Sequence, residues 1–371
     1  MTRIVLLDLD GVLVQPGGYR TALRATVDHF IGPWLDIHDE MLVDLENRGI
    51  TSEWDMSPLL IASYWNDILS RQPMPDLASE VSAAAKEIHA RRKVEEPKHL
   101  DVPEFTPVAG QYPSESALRA GCFPSIPYDL RKNLLTGTRD IQHSHTMQIF
   151  QQFTLGSRAF TDTYHLPAVV ETDSYLSTYD KPNLDDEIRS RLRKAHPYLA
   201  GFTSRPSYPP REVMGSNSGY APEAELALEL VGLSDIPLMA FGKLEYLARQ
   251  YQLDPATLVK PSLIHALAGA LAAWTGDEWL SLQAVNRWRE TGSLNGAFHQ
   301  LPKAFELIVV EDTMAGIRSV RSAGEVLSQS GFDVTLRPLG MTSNNPGKAS
   351  AFEQAGVPYH QDWESLMKEL A

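Results

Sequence analysis

Asp8 and Asp10 stand two residues apart at the end of the apolar run Ile4–Leu7, and Gly11 follows them. Such a run beside a turn signal reads as a buried strand. Open α/β sheets bind their ligands at the C-terminal ends of the strands. Residues i and i+2 share one side of a strand, and a turn at Gly11 lets both carboxylates reach one site. Two acids in one small site repel each other unless a cation lies between them or one keeps its proton. This arrangement suits metal-assisted phosphoryl chemistry; the plainer reading is a strand that ends in acidic loop residues.

Three later stretches carry compatible groups. Leu307–Val310 is a second buried run, and it ends in Glu311 and Asp312 just before a helical pattern that runs through Ile317 and Val320. Asp312 is a hard oxygen ligand suited to Mg²⁺. Glu311 can ligate directly or hold a metal-bound water, although acids at a helix start also simply complement its dipole. Thr203 closes the stretch Tyr198–Phe202, and Pro206 turns the chain just beyond. Its hydroxyl and the neighbouring backbone, with Ser204 alongside, can donate to a phosphate oxygen. Lys260 precedes Pro261 and Ser262, the latter a candidate N-cap for the Ala/Leu-rich helix that follows. A lysine on that turn can neutralise a phosphate and orient a carboxylate. Taken singly, the threonine is also an ordinary turn residue and the lysine an ordinary surface one.

Together and in this order, the four motifs resemble the phosphatase-type members of the haloacid dehalogenase-like hydrolase superfamily. The resemblance covers Met1–Gln15 and Pro197–Ala371. It implies Asp8 as nucleophile, Asp10 as acid/base, Thr203 as phosphate-binding hydroxyl and Lys260 as the stabilising base. It further implies Mg²⁺ held by Asp8, the Asp10 backbone carbonyl and Asp312, with Glu311 as a second metal acid. The second acid, at position 10, separates phosphatases and phosphomutases from the dehalogenases. The activity implied is hydrolysis of a small phosphorylated metabolite through an aspartyl-phosphate. A phosphosugar mutase with the same core, or an idle phosphate-binding regulatory protein, are the alternatives.

The elements needed to position these groups form a doubly wound, mainly parallel α/β sheet, a Rossmann-like hydrolase core. Its strands are expected at Ile4–Leu7, Leu199–Phe202, Leu238–Phe241, Leu307–Val310 and Val334–Pro338, within residues 1–15 and 186–371. The long interval 16–185 resembles the superfamily's mostly helical cap, inserted between the first two motifs but much longer than usual. Crossings near Gln15 and Asp185 would form its hinge. Tyr19 and Arg20, after Pro16-Gly17-Gly18, can reach the mouth of the site, with Arg20 a candidate substrate contact; they equally suit an ordinary first helix. Arg48–Met56 suits a specificity loop, or a capping box of Ser52 and Asp55 leading into a helix through Leu59–Trp65. Pro33–Trp34, Tyr175 and Tyr179 read as core of this region, and His143 and His145 as non-metal residues with no acid ligand nearby. Val94–Pro127 reads as irregular connection. Gly276–Gln300, with Trp279 and Trp288, reads as an added helical pair packed on the core or on a second subunit, which would make a homodimer.

Composition narrows the setting. The chain has 371 residues, too many for one ordinary core. A net charge of −14 argues against a nucleic-acid surface. No apolar run is long enough to span a bilayer, and Asp8 and Asp10 interrupt any signal-peptide pattern, so a cytoplasmic setting is expected. The single cysteine, Cys122, excludes an intrachain disulfide and a Cys-rich zinc site.

Overall fold

A computed structural model describes residues 1–32, 37–108, 110–215 and 217–370. Pro33 and Trp34 lie outside the described residues. The chain divides into two compact units, Met1–Pro16 with Asp180–Ala371, and Gly17–Tyr179.

The first unit is built on a six-stranded, wholly parallel sheet. Its strands are β1 (Thr2–Leu7), β4 (Tyr198–Phe202), β5 (Leu238–Met239), β6 (Ala304–Glu311), β7 (Asp333–Met341) and β8 (Tyr359–His360), in the order β5-β4-β1-β6-β7-β8. Between β1 and β4 in sequence, β2 (Val14–Gln15) and β3 (Lys181–Pro182) pair antiparallel as a separate ribbon. The central strand is apolar on both sides because both faces of the sheet are covered. Ile4 and Leu6 pack with Leu267 and Leu271 of the helix Leu263–Thr275 and with Ile317 of the helix Met314–Gln329. Val5 and Leu7 pack on the other face with Ile188, Leu228 and Leu366. From β1 the chain builds outward to β4 and β5, then returns to build β6, β7 and β8 on the other side. The order therefore reverses between β1 and β6, where such sheets open a crevice at their C-terminal edge.

Several expected elements differ in extent. The strand expected at Leu238–Phe241 ends at Met239, because Ala240 starts the helix Phe241–Tyr251. Strand β8 carried no sequence signal beyond two residues. The segment 276–300 forms one helix, Glu278–Thr291, and a 3₁₀ turn, Gly296–Gln300, instead of a helical pair. It packs on its own core through Leu282, Val285 and Phe298. Glu278 fastens it: its carboxylate accepts from Leu238 N at 2.8 Å and Arg211 N at 3.0 Å, and meets Lys243 at 3.1 Å. The edge strand β5 thus gains an acceptor for a backbone donor that no further strand satisfies.

The second unit is helical, with nine helices between Gly18–Ile31 and Tyr175–Tyr179 among the described residues. Its middle is the helix Glu53–Arg71, buried nearly all round through Leu59, Leu60, Tyr64, Trp65 and Ile68. Glu53–Met56 is the first turn of that helix, so only Arg48–Ser52 remains outside regular structure there. Asp55 does not complete a capping box. It is fully buried and accepts from Ser114 Oγ at 2.8 Å, Thr138 Oγ1 at 3.1 Å and an Arg139 guanidinium nitrogen at 2.8 Å. The helix Pro113–Arg119 lies within the otherwise irregular 94–127 stretch. Acids do lie beside the two histidines: His143 pairs with Asp140 and His145 with Glu80. Tyr175 packs on Phe153 and Tyr179, but Tyr179 is itself exposed, so it is not core. Cys122 is a free, buried thiol. Among the described residues no helix is long and apolar enough to cross a membrane.

Candidate active site

Asp8 is the first residue beyond β1, and its N–H donates to Val310 O at 3.0 Å, continuing the ladder between β1 and β6. The same register brings Glu311 and Asp312 to the sheet edge beside it. One carboxylate oxygen from each of Asp8, Glu311 and Asp312 lies within 4.8 Å of the others. Lys260 reaches this cluster from the turn before the helix Leu263–Thr275. Its Nζ donates to Asp8 Oδ1 at 2.8 Å, pairs with Glu311 Oε1, and lies 4.4 Å from the centre of the Phe202 ring. The other oxygen of Glu311 accepts from Thr313 N and Oγ1, both at 2.9 Å. Ser262 is the N-cap residue by position but makes no side-chain cap bond; its carbonyl instead accepts from Ser319 Oγ.

Two glycines let the backbone come this close. Gly11 has φ +73°, and a Cβ there would stand 2.5 Å from Asp312 Oδ2. A Cβ on Gly316 would stand 1.9 Å from Glu311 Oε1. Neither position has room for a side chain.

The electrostatics follow from burial. Loss of solvent pushes the Asp8 carboxyl well above the ordinary carboxylate range; Glu311 and Asp312 add to the shift and Lys260 opposes it. Burial likewise raises Asp312, against the pull of Lys348. Burial alone would pull Lys260 down, but Asp8 and Glu311 more than offset it and hold the ammonium charged. Three carboxyl groups crowd together beside the ammonium groups of Lys260 and Lys348. That all-oxygen donor set fits a hard divalent cation, which would relieve the crowding.

Asp10 takes a different partner. Both of its oxygens accept from Arg205 Nε, at 3.1 and 2.9 Å, and a second guanidinium nitrogen joins Asp10 to Asp180 at 2.8 Å. Thr203 is buried at the end of β4; its N–H donates to Met239 O at 3.0 Å and its Oγ1 accepts from Arg205 N at 3.2 Å. The hydroxyl hydrogen is left to donate. Ser204 is exposed next to it. Arg20 is not among these residues. It belongs to the helical unit, where Asp39 at 3.2 Å and Glu46 at 2.9 Å hold its guanidinium.

Three participants were not singled out in the sequence. Arg205 sits inside the Thr203–Pro206 motif, so its place was signalled but its use was not. Lys348 pairs with Asp312 from the first turn of the helix Pro346–Gln354. His265 lies under Lys260 and carries no motif signal at all. No family model matches the chain, and no curated protein does. An X-ray structure described as Northeast Structural Genomics Consortium target ZR25 is similar, with a TM-score of 0.62 and 15% identity over 99% of this chain and 98% of that one. That likeness shows a shared fold.

Proposed function

We propose that the chain is a Mg²⁺-dependent phosphatase of the haloacid dehalogenase-like type that hydrolyses a small phosphorylated metabolite. The observation that carries this reading is the pairing of Asp8 with Lys260 beside Glu311 and Asp312, at the strand-order reversal of a parallel sheet. In the reaction, the Asp8 oxygen that Lys260 leaves open attacks phosphorus in line, and the P–O bond to the leaving alkoxide breaks. Lys260 and the Thr203 hydroxyl face the phosphoryl oxygens, where charge builds. Asp10 gives its proton to the alkoxide, then takes one from the water that cleaves the aspartyl-phosphate and restores the Asp8 carboxylate. For either transfer Asp10 must let go of Arg205. Asp8, Asp312 and the Asp10 carbonyl would hold Mg²⁺, which when bound neutralises charge on the transferred group. The helical unit Gly17–Tyr179 is assigned as the cap that selects the substrate, and the β2–β3 ribbon as its hinge.

Phosphate release from an aryl phosphate, with and without Mg²⁺, tests the reading with wild type beside Asp8→Asn. The expected outcome is Mg²⁺-dependent release that disappears in Asp8→Asn. Release that persists in Asp8→Asn would remove the nucleophile. Failure of the wild type on a broad set of phosphomonoesters would remove the activity.

A further inference from the structure

His265 lies in the first turn of the helix Leu263–Thr275 and is fully buried. Its two ring nitrogens have partners of opposite kinds. Nδ1 accepts from the backbone N–H of Lys260 at 3.2 Å, and Nε2 stands 3.0 Å from the carbonyl oxygen of Met239. A backbone N–H can only donate and a carbonyl can only accept, so Nε2 carries the proton and the imidazole is neutral. Burial first, and the charge of Lys260 second, push its pKa down to about 3, which keeps it so.

The geometry extends to the other anion-binding residue. The Met239 oxygen that accepts from His265 also accepts from Thr203 N at 3.0 Å. Phe202, the residue before Thr203, stands edge-on to the imidazole with ring centres 4.4 Å apart, and the Lys260 ammonium lies over that same ring. One side chain therefore ties together the ends of β4 and β5 and the turn that presents Lys260. That turn belongs to neither sheet nor helix, so the Lys260 N–H has no ladder to join. A buried donor without an acceptor is costly and moves to find one.

We propose that His265 is a positioning residue: its neutral imidazole fixes the backbone of Lys260 and, through the Met239 carbonyl, that of Thr203, so that ammonium and hydroxyl face one phosphoryl group. The catalytic part of this proposal rests on the phosphatase reading above. The two ring nitrogens contribute unequally. Losing Nε2 leaves the Met239 oxygen still served by Thr203, whereas losing Nδ1 strands the Lys260 N–H.

Three variants separate these arms. Asn at 265 keeps an acceptor near the place of Nδ1, Gln keeps a donor near the place of Nε2, and Leu keeps neither. His265→Asn is expected to retain most of kcat, while His265→Gln and His265→Leu lose about ten- to a hundredfold in kcat with much smaller changes in KM. Exchange of the Lys260 amide hydrogen, measured on the full chain, should stay slow in wild type and His265→Asn and become fast in the other two. A residue that only fills space would lower Tm in all three variants and leave the order of kcat unrelated to hydrogen bonding. Equal kcat in wild type and His265→Gln, or a slow Lys260 amide in His265→Leu, would overturn the proposal. If Leu prevents folding, the Asn and Gln pair still decides. If wild type proves inactive while the amide follows this order, the phosphatase reading fails and the backbone role of His265 stands.

Discussion

Asp10 and Arg205 set the hardest chemical condition at the residue scale. A carboxyl gripped on both oxygens by a guanidinium is well placed but not free to move a proton. Its importance should then depend on how much the leaving group needs that proton. Aryl oxides leave readily as anions, whereas alkoxides do not. Asp10→Asn is expected to cut kcat/KM by about 10²- to 10⁴-fold for alkyl phosphates, and far less for aryl phosphates when only formation of the phospho-enzyme is followed. Rapid-quench measurement of the first turnover on both substrate types checks this. Equal losses on both would assign Asp10 to holding the loop, with no proton role. Sequence pattern made Asp8, Lys260, Glu311 and Asp312 visible as candidates because each ends an apolar run or starts a helix. Their partners were invisible for the opposite reason. Lys260 and Glu311 are 51 positions apart, and Lys348 lies 36 beyond Asp312. Asp55 shows the same limit: three positions after Ser52 it mimics a capping acid, yet its partners Ser114, Thr138 and Arg139 are 59 to 84 residues away.

At the scale of elements, the helix Leu263–Thr275 does more than cover one face of the sheet. Its Ala and Leu residues pack on β1 and β4, and its first turn carries the imidazole that holds the Lys260 backbone. Periodicity announced the helix plainly, but not that a histidine within it would be locked neutral. That locking has a cost in acid. The folded-state pKa of about 3 lies below the ordinary value of 6.5, so between these values the unfolded chain binds a proton that the native chain refuses. The stability His265 contributes is complete above about pH 6.5 and is lost as the pH falls toward 3, by about 1.4 kcal/mol per pH unit. His265→Asn removes the titrating group. Its denaturation midpoint should therefore fall less steeply than that of wild type between pH 6.5 and 4, even where the variant is the less stable at neutral pH. Parallel slopes for the two proteins would mean that His265 titrates normally and is not held as described. The short strand β5 makes a complementary point. Leu238 and Met239 alone give too little pattern to mark where a strand ends, and the stop is set by Ala240 and Phe241 entering a helix.

The whole molecule is organised around separate apolar cores. Two flank the sheet, one on each face, and among the described residues draw on the first unit; the third draws on residues between Tyr19 and Tyr175 in the helical unit. The apolar run and turn chemistry around β1 and β6 made the sheet legible from sequence. The helical unit was legible only as helix-rich, because which helix lies in the middle depends on long-range packing. Separate cores predict separate cooperative units, each with its own melting transition. Trp65 is fully buried in the helical core, so Trp65→Ala should lower only one of two calorimetric transitions, at a cost of roughly 3–5 kcal/mol. Orthophosphate with Mg²⁺ should raise only the other, because a ligand stabilises the unit whose native state binds it, by about 2.7 kcal/mol at a hundredfold excess over Kd. The two perturbations thus label the transitions independently. A single transition that responds to both would show that the units unfold together, and the assignment of the helical unit as a separable cap would then fall with it.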